Sequence, residues 1–337
     1  MSSPPSPSVA KPRFILAVPT RTELNACWHL GRLSNGMGCW VVWFPLAFSM
    51  AMAYHAMPEL AGWYVAARAI LFIALCCGVK CLIMTIDDIL DADVDALVER
   101  TKDRVLPRGD ISMARAWLFF AIQVVVGIAL AYVLLKPYTL FISMWVWPLF
   151  VIYPTCKRWM SFAPIPLALM FNIGALMGWS DLAPGNGSLS YVLGEASAAA
   201  GRTPWEILLP VFAGCCFWTV TFETVYQHQD KADDLAIGLR SLALFLGRAT
   251  VPVCALTSLA FGGMVGWGFW LNGQGIPAFV GLALGTLRLL FGLRTVDVDY
   301  PRSCLQYFLL TPGVGLLVLL GLVVDGVLGR WNAGTAL

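Results

Sequence analysis

The chain has 337 residues, 59% of them hydrophobic and only 12% charged, with a mean hydropathy of +0.75. Soluble globular proteins carry about 25% charged residues, so most of this chain is expected in lipid rather than water. The formal net charge of +2 lacks the basic excess of a nucleic-acid binder, and no nucleic-acid partner is expected.

In chain order, Met1 to Pro12 is rich in Ser and Pro, and residues 1–24 are expected to be flexible. The stretch reads neither as a secretory signal with its apolar run nor as an Arg-rich amphipathic presequence. Residues 25–330 are expected to form one integral-membrane domain. Runs long and apolar enough to cross a bilayer fall at about 38–57, 63–86, 116–135, 138–153, 161–180, 205–226, 250–271, 275–293 and 304–328. The fold class expected is therefore all-α, a multi-pass transmembrane bundle of about nine helices. Ten cysteines are scattered through apolar stretches without a CxxC pair, which suits small buried hydrophobes better than zinc ligands. His29, His55 and His228 are too dispersed for a ligand set.

With nine spans, the N-terminus and the loops after even-numbered spans share one membrane face. Sixteen Lys and Arg residues fall on that face and three on the other, namely Lys136, Arg202 and Arg330. By the positive-inside rule the rich face is expected in the cytosol. Fifteen of the twenty acids lie on or near the same face. The rule gives acids little weight, so their concentration asks for a functional reason.

Two clusters hold the decisive acids. The first ends span 2, where Asp88, Asp91 and Asp95 are spaced i, i+3, i+7 along one helical face, and Asp87 pairs with Asp91 at i, i+4. The second ends span 6, where Glu223, Asp230 and Asp234 are spaced i, i+7, i+11. Like charges so placed oppose one another, and carboxylates at membrane depth are costly. A divalent cation offsets both costs, and Mg²⁺ prefers one or two carboxylates completed by water and substrate phosphates. A solvated acidic helix end would explain one cluster; two of matched spacing on one face fit a metal–diphosphate site better. Arg100 and Arg104 follow the first cluster, Tyr153, Lys157 and Arg158 end span 4, and Arg240 follows the second cluster. These bases suit either phosphate binding or ordinary anchoring at the membrane face.

The pattern resembles the UbiA superfamily of intramembrane aromatic prenyltransferases. The family's N-D-x-x-D-x-x-x-D motif is matched by Asp87 to Asp95, and its E-R-T-x-x-R tail by Glu99 to Arg104. Its second motif is matched from Glu223 through Tyr226, Gln229, Asp230, Asp233 and Asp234 to Gly238, Arg240 and Ser241. Tyr153 to Lys157 supplies a Y-x-x-x-K element, and Arg32 begins a partial N-terminal element. Four positions depart from the pattern. Asp87 replaces Asn, Glu223 replaces Asp, Gly36 replaces Pro, and Ala163-Pro164-Ile165-Pro166 replaces a Pro-Gln pair. The first two departures preserve metal chemistry, while the last two alter the acceptor side.

The resemblance implies transfer of an isoprenyl group, geranyl or farnesyl, from its diphosphate to a phenolic or polyketide acceptor. It implies Mg²⁺ on Asp87, Asp91, Asp230 and Asp234, with Asp88, Asp95 and Asp233 in support. Diphosphate would be held by Arg32, Arg100, Arg104, Tyr153, Lys157, Arg158 and Arg240. Catalysis would rest on Asp88, Asp95, Asp230, Lys157 and Arg240, with Asp230 or Asp88 as general base. The departures point to the fungal secondary-metabolite branch, and an endomembrane is expected over the mitochondrial inner membrane. Two other readings stay open: a terpene cyclase, because Asp87 to Asp91 reads as DDxxD, and an ion-coupled transporter.

Overall fold

The computed structural model describes residues 17–34, 37–183 and 203–335. Residues 1–16, most of the stretch expected to be flexible, lie outside them, as do Asn35, Gly36 and Arg202. Residues 21–24 are helical instead, because they open helix α1, Arg21–Leu30. Thr20 caps it reciprocally: the Glu23 amide donates to Thr20 Oγ1 at 3.3 Å, and the Thr20 amide donates to Glu23 Oε2 at 2.7 Å. Arg115 pairs with Glu23 at 3.2 Å and fixes this helix against the bundle.

The rest of the described chain is helices joined by turns. In order come α2 (Met37–Ala56), α3 (Gly62–Leu90), the single turn α4 (Ala92–Asp95), α5 (Met113–Leu134), α6 (Pro137–Met144) and α7 (Trp147–Thr155). Then follow α8 (Pro164–Asn172), α9 (Gly174–Leu182), α10 (Trp205–Gln227), α11 (Lys231–Ile237), α12 (Leu242–Leu246) and α13 (Thr250–Leu271). The chain closes with α14 (Ile276–Thr295), α15 (Pro301–Leu309) and α16 (Thr311–Ala333). Among the described residues nine helices or kinked helix pairs are long and apolar enough to cross a membrane, in the order the hydropathy predicts. The fourth and fifth are broken pairs, α6–α7 and α8–α9. Pro148 sits in the first turn of α7 and Pro164 in the first turn of α8, where a missing amide hydrogen costs nothing.

Burial explains the packing. A ring ladder, Phe44–Phe48–Trp218–Phe261, runs through the interior with centroids 6.2, 6.4 and 5.6 Å apart. Helices approach closely where small residues allow it. A Cβ on Gly178 of α9 would collide with the Leu46 carbonyl oxygen of α2, and one on Gly281 of α14 would lie 2.9 Å from Gly321 Cα of α16. The outer faces are apolar instead: on α5, Val125 is 67% and Val133 75% exposed. Such a surface is an aggregation liability in water and the normal surface in lipid. The protein is an all-α, multi-pass integral membrane protein.

Candidate active site

Helix α3 is 29 residues long, about 43 Å at 1.5 Å per residue, against a hydrocarbon core of about 30 Å. Its last turns therefore emerge from the core, and they carry Asp87 and Asp88. The chain then turns at Asp91 into α4, and the Asp95 amide donates to the Asp91 carbonyl at 2.7 Å. This keeps Asp88, Asp91 and Asp95 on one side, as their spacing predicts. The second cluster follows the same design. Beyond α10 a 3-10 turn, His228–Asp230, leads into α11, which Gly238 ends at φ +81°. Only glycine adopts that conformation freely. The reversal aims the Arg240 amide at the Lys157 carbonyl, 2.8 Å away, and so ties the second cluster to the end of α7.

The two stripes meet at one end of the bundle with Lys157 between them. Its ammonium lies in the field of Asp234, Asp87, Asp230 and Asp91. Glu223, about two turns before Asp230, faces Lys157, Asp87 and Asp230, and the Tyr153 ring lies near Glu223, Asp87 and Asp91.

Three arginines bridge the stripes or brace them. Arg100 crosses from the first motif to the second, with Nε 2.7 Å from Asp230 Oδ1 and Nη2 on Oδ2. Arg104 donates to Asp95 Oδ2 at 2.6 Å and to Asp88 Oδ1 at 3.0 Å. Arg32 donates to the same Asp88 oxygen at 2.7 Å. Asp88 and Asp95 thus hold guanidinium groups in place, which suits a positioning role. Arg32 itself has φ +47°, a strained conformation for a residue with a side chain. Buried Lys80 of α3 donates to the carbonyls of Gly31 and Arg32 and fixes that turn.

Two expected diphosphate ligands stand apart. Arg158 faces outward, chelating exposed Asp93 at 2.7 and 3.1 Å and donating to the Leu90 carbonyl at 2.8 Å. Its nearest approach to the centre is 3.7 Å, to Asp91 Oδ1. Arg240 is exposed at the rim, donating to the Trp159 carbonyl at 2.8 Å.

The charge balance fits a divalent cation. Among the described residues, Asp87, Asp88, Asp91, Asp95, Glu223, Asp230 and Asp234 face Arg32, Arg100, Arg104 and Lys157, with Arg158 at the edge near Asp91. Burial, and then the neighbouring charge of Asp87, raise the Asp91 carboxyl to about 7 despite Lys157. Burial raises Asp95 also, against the pull of Arg104, whereas the Arg158 hydrogen bond lowers exposed Asp93. Asp234 Oδ2 is buried without a donor, a state that a cation relieves. No three ligating side chains converge into a closed cage among the described residues.

Comparisons with known proteins agree with this arrangement. Residues 42–319 match the UbiA prenyltransferase family. The chain belongs to the UbiA prenyltransferase family. It is 31% identical over 305 residues to a mitochondrial 4-hydroxybenzoate polyprenyltransferase of Aedes aegypti, covering 89% of this chain and 63% of that one. It is 30% identical over 308 residues to 4-hydroxybenzoate geranyltransferase 2 of Lithospermum erythrorhizon, covering 90% and 91%. This chain therefore spans less than two thirds of the mosquito relative but nearly all of the plant one. Among solved structures it is similar to an apo UbiA homolog from Aeropyrum pernix, with a TM-score of 0.66 and 25% identity over 84% of this chain and 97% of that one. A UbiA homolog from Archaeoglobus fulgidus bound to GPP and Mg²⁺ shares the fold at a TM-score of 0.62 and 17% identity, over 89% and 99%.

The UbiA motifs locate the ends of α3, α7 and α10, but not everything beneath them. Fully buried Asn172 of α8 donates its amide to Thr219 Oγ1 at 2.8 Å and to the Ala168 carbonyl at 2.7 Å, leaving Oδ1 unpaired. Thr219 lies one turn before Glu223 on α10, so a polar lane runs from the carboxylate end into the bundle. An amide inside an apolar run was the available signal for it, as a charge inside span 2 was for Lys80.

Proposed function

We propose that the protein transfers a short isoprenyl group, geranyl or farnesyl, from its diphosphate to an electron-rich carbon of a phenolic acceptor, releasing pyrophosphate. The observation that carries this reading is Lys157 lodged between two opposed carboxylate stripes, with Arg32, Arg100 and Arg104 around them. The site is rich in both signs, as a diphosphate with its counter-ion requires. Asp87, Asp91, Asp230 and Asp234 would hold Mg²⁺, which supplies Lewis-acid stabilisation of the departing pyrophosphate. Lys157 and Arg104 stabilise the same charge as the allylic carbon–oxygen bond breaks with its electron pair on oxygen. The acceptor's ring electrons form the new carbon–carbon bond, and the ring carbon then gives up its proton. Asp230 is held by Arg100 and Asp88 by two arginines, so either acts as base only after that pairing loosens.

The isoprenoid tail runs inward among apolar side chains, which shields the cation from water. The basic end of the bundle is taken to face the cytosol, on the distribution of Lys and Arg. The departures at Gly36 and Pro164 support an acceptor other than 4-hydroxybenzoate. The mosquito relative is named mitochondrial, which does not favour the endomembrane location expected from the sequence.

The test pairs membranes holding the protein with geranyl, farnesyl and geranylgeranyl diphosphates and a panel of phenols that includes 4-hydroxybenzoate, read by mass. A phenol gaining one isoprenyl unit supports the proposal. A terpene hydrocarbon or alcohol formed equally well without any phenol overturns it in favour of a cyclase.

A pH dependence follows from Asp91. Metal binding needs the carboxylate, and in the metal-free protein this group titrates near 7. Apparent Mg²⁺ affinity is expected to weaken about tenfold between pH 8 and pH 6, as protons compete for the site. Initial rates titrated with Mg²⁺ at the two pH values check this. An affinity independent of pH across that range would remove Asp91 from the metal set.

A further inference from the structure

Arg288 is an arginine in the wrong place for a simple membrane helix. It lies within α14, seven residues before the end of a span, and its side chain is exposed on the outer surface of the bundle. Among the described residues it has no hydrogen bond and no ion pair. Its guanidinium does not trail away along α14. It folds over Gly313 in the first turn of α16, where a Cβ would lie 3.1 Å from Nε and 3.2 Å from Nη2. The cation is thereby set into a groove of about 540 Å³ between α14 and the α15–α16 kink, walled by Leu284, Leu287, Phe291, Leu310 and Leu317.

The depth of this groove identifies its surroundings. From Gly313 to Trp331, whose ring is 74% exposed, α16 rises roughly 27 Å. Tryptophan favours the membrane–water boundary, and the hydrocarbon core is about 30 Å thick. Arg288 therefore stands at the opposite boundary, at the level of lipid phosphates, with the apolar walls running below it into the acyl region. An unpaired guanidinium there lacks an anion, and its planar fork matches phosphate oxygens.

We infer that this groove binds a membrane phospholipid, its headgroup phosphate on Arg288 and an acyl chain along Leu284, Leu287 and Leu317. The site lies on the outer face of α14, away from the carboxylate stripes of α3 and α10, and does not depend on the prenyltransferase reading.

The experiment is native mass spectrometry of the full-length protein, delipidated in detergent and given dioleoyl phosphatidylglycerol or phosphatidylcholine at matched, limiting ratios. The wild type is expected to retain one phospholipid that Arg288→Gln retains with about tenfold lower occupancy, the loss of a charge-assisted pair. Arg288→Lys is expected to fall between them. Phosphatidylglycerol, with its net negative charge, should occupy the site more fully than phosphatidylcholine. Thermal melting without added lipid serves as the fold control, and the comparison uses Arg288→Leu should Arg288→Gln melt early. Identical lipid retention by the wild type and the variants overturns the proposal. So does displacement of the retained phospholipid by geranyl diphosphate, which would make the groove a substrate site instead.

Discussion

Asp234→Asn is expected to keep the helical fold while cutting prenyl transfer by at least about a hundredfold, the scale on which losing one preorganised charge contact slows a reaction. The two effects separate for a physical reason. Asp234 is buried beside Asp230 and Asp233, and one of its oxygens has no donor. An amide removes that repulsion and the cost of burying a charge but also loses the attraction of Lys157, so the melting temperature in detergent should stay near level. Mg²⁺ should stabilise the wild type, because a ligand that binds only the folded state raises its melting temperature; that increment should shrink in the variant. Asp91→Asn should behave alike. Asp93→Asn is the control from the same turn: Asp93 is exposed and engaged with Arg158, so its rate should change less than about threefold. Near-wild-type turnover by Asp234→Asn or Asp91→Asn would remove that residue from the metal site.

The contrast between Asp91 and Asp93 shows what the sequence could and could not tell. Helical periodicity separates them, since Asp88, Asp91 and Asp95 share a face that excludes Asp93, and the structure keeps that arrangement through the bend after Leu90. Hydropathy and charge parity likewise foretold nine crossings and a common end for both clusters. Neither rule carries information on pairing across the bundle. That Arg100 reaches Asp230, or that Arg158 turns outward to Asp93, depends on how the ends of α3, α7 and α10 are set against each other. Spacing along one helix does not encode this. Lys80 and Asn172 were legible as polar residues in apolar runs, but their partners, the carbonyls of Gly31 and Arg32 and the hydroxyl of Thr219, belong to segments distant in sequence. Helix α1 begins at Arg21, inside the stretch expected to be flexible, because Thr20 and Glu23 form a local capping pair that composition does not reveal.

A second expected result concerns the other end of the bundle. Arg68→Met should destabilise the protein by about 3–5 kcal/mol, the usual cost of stranding one partner of a buried ion pair. Asp181 of α9 is fully buried, and Arg68 of α3 grips both its oxygens at 2.7 Å while donating to the Leu134 carbonyl at 3.0 Å. One side chain thus joins α3, α5 and α9 far from the two acidic clusters. Lys136 lies near enough to feel Asp181, although burial weakens its hold on the proton. It tempers the loss toward the lower figure without replacing a two-pronged contact. In a chain of this size the change corresponds to a drop in melting temperature of at least about 5 °C. The double variant Arg68→Met with Asp181→Leu should recover most of that loss, because an apolar pair of similar volume avoids the stranded charge. Melting of the single and double variants in one detergent decides the matter. If Arg68→Met melts with the wild type, the pair carries no stability. If the double variant melts as low as the single, the clamp acts through its geometry and the Leu134 contact rather than through its charges.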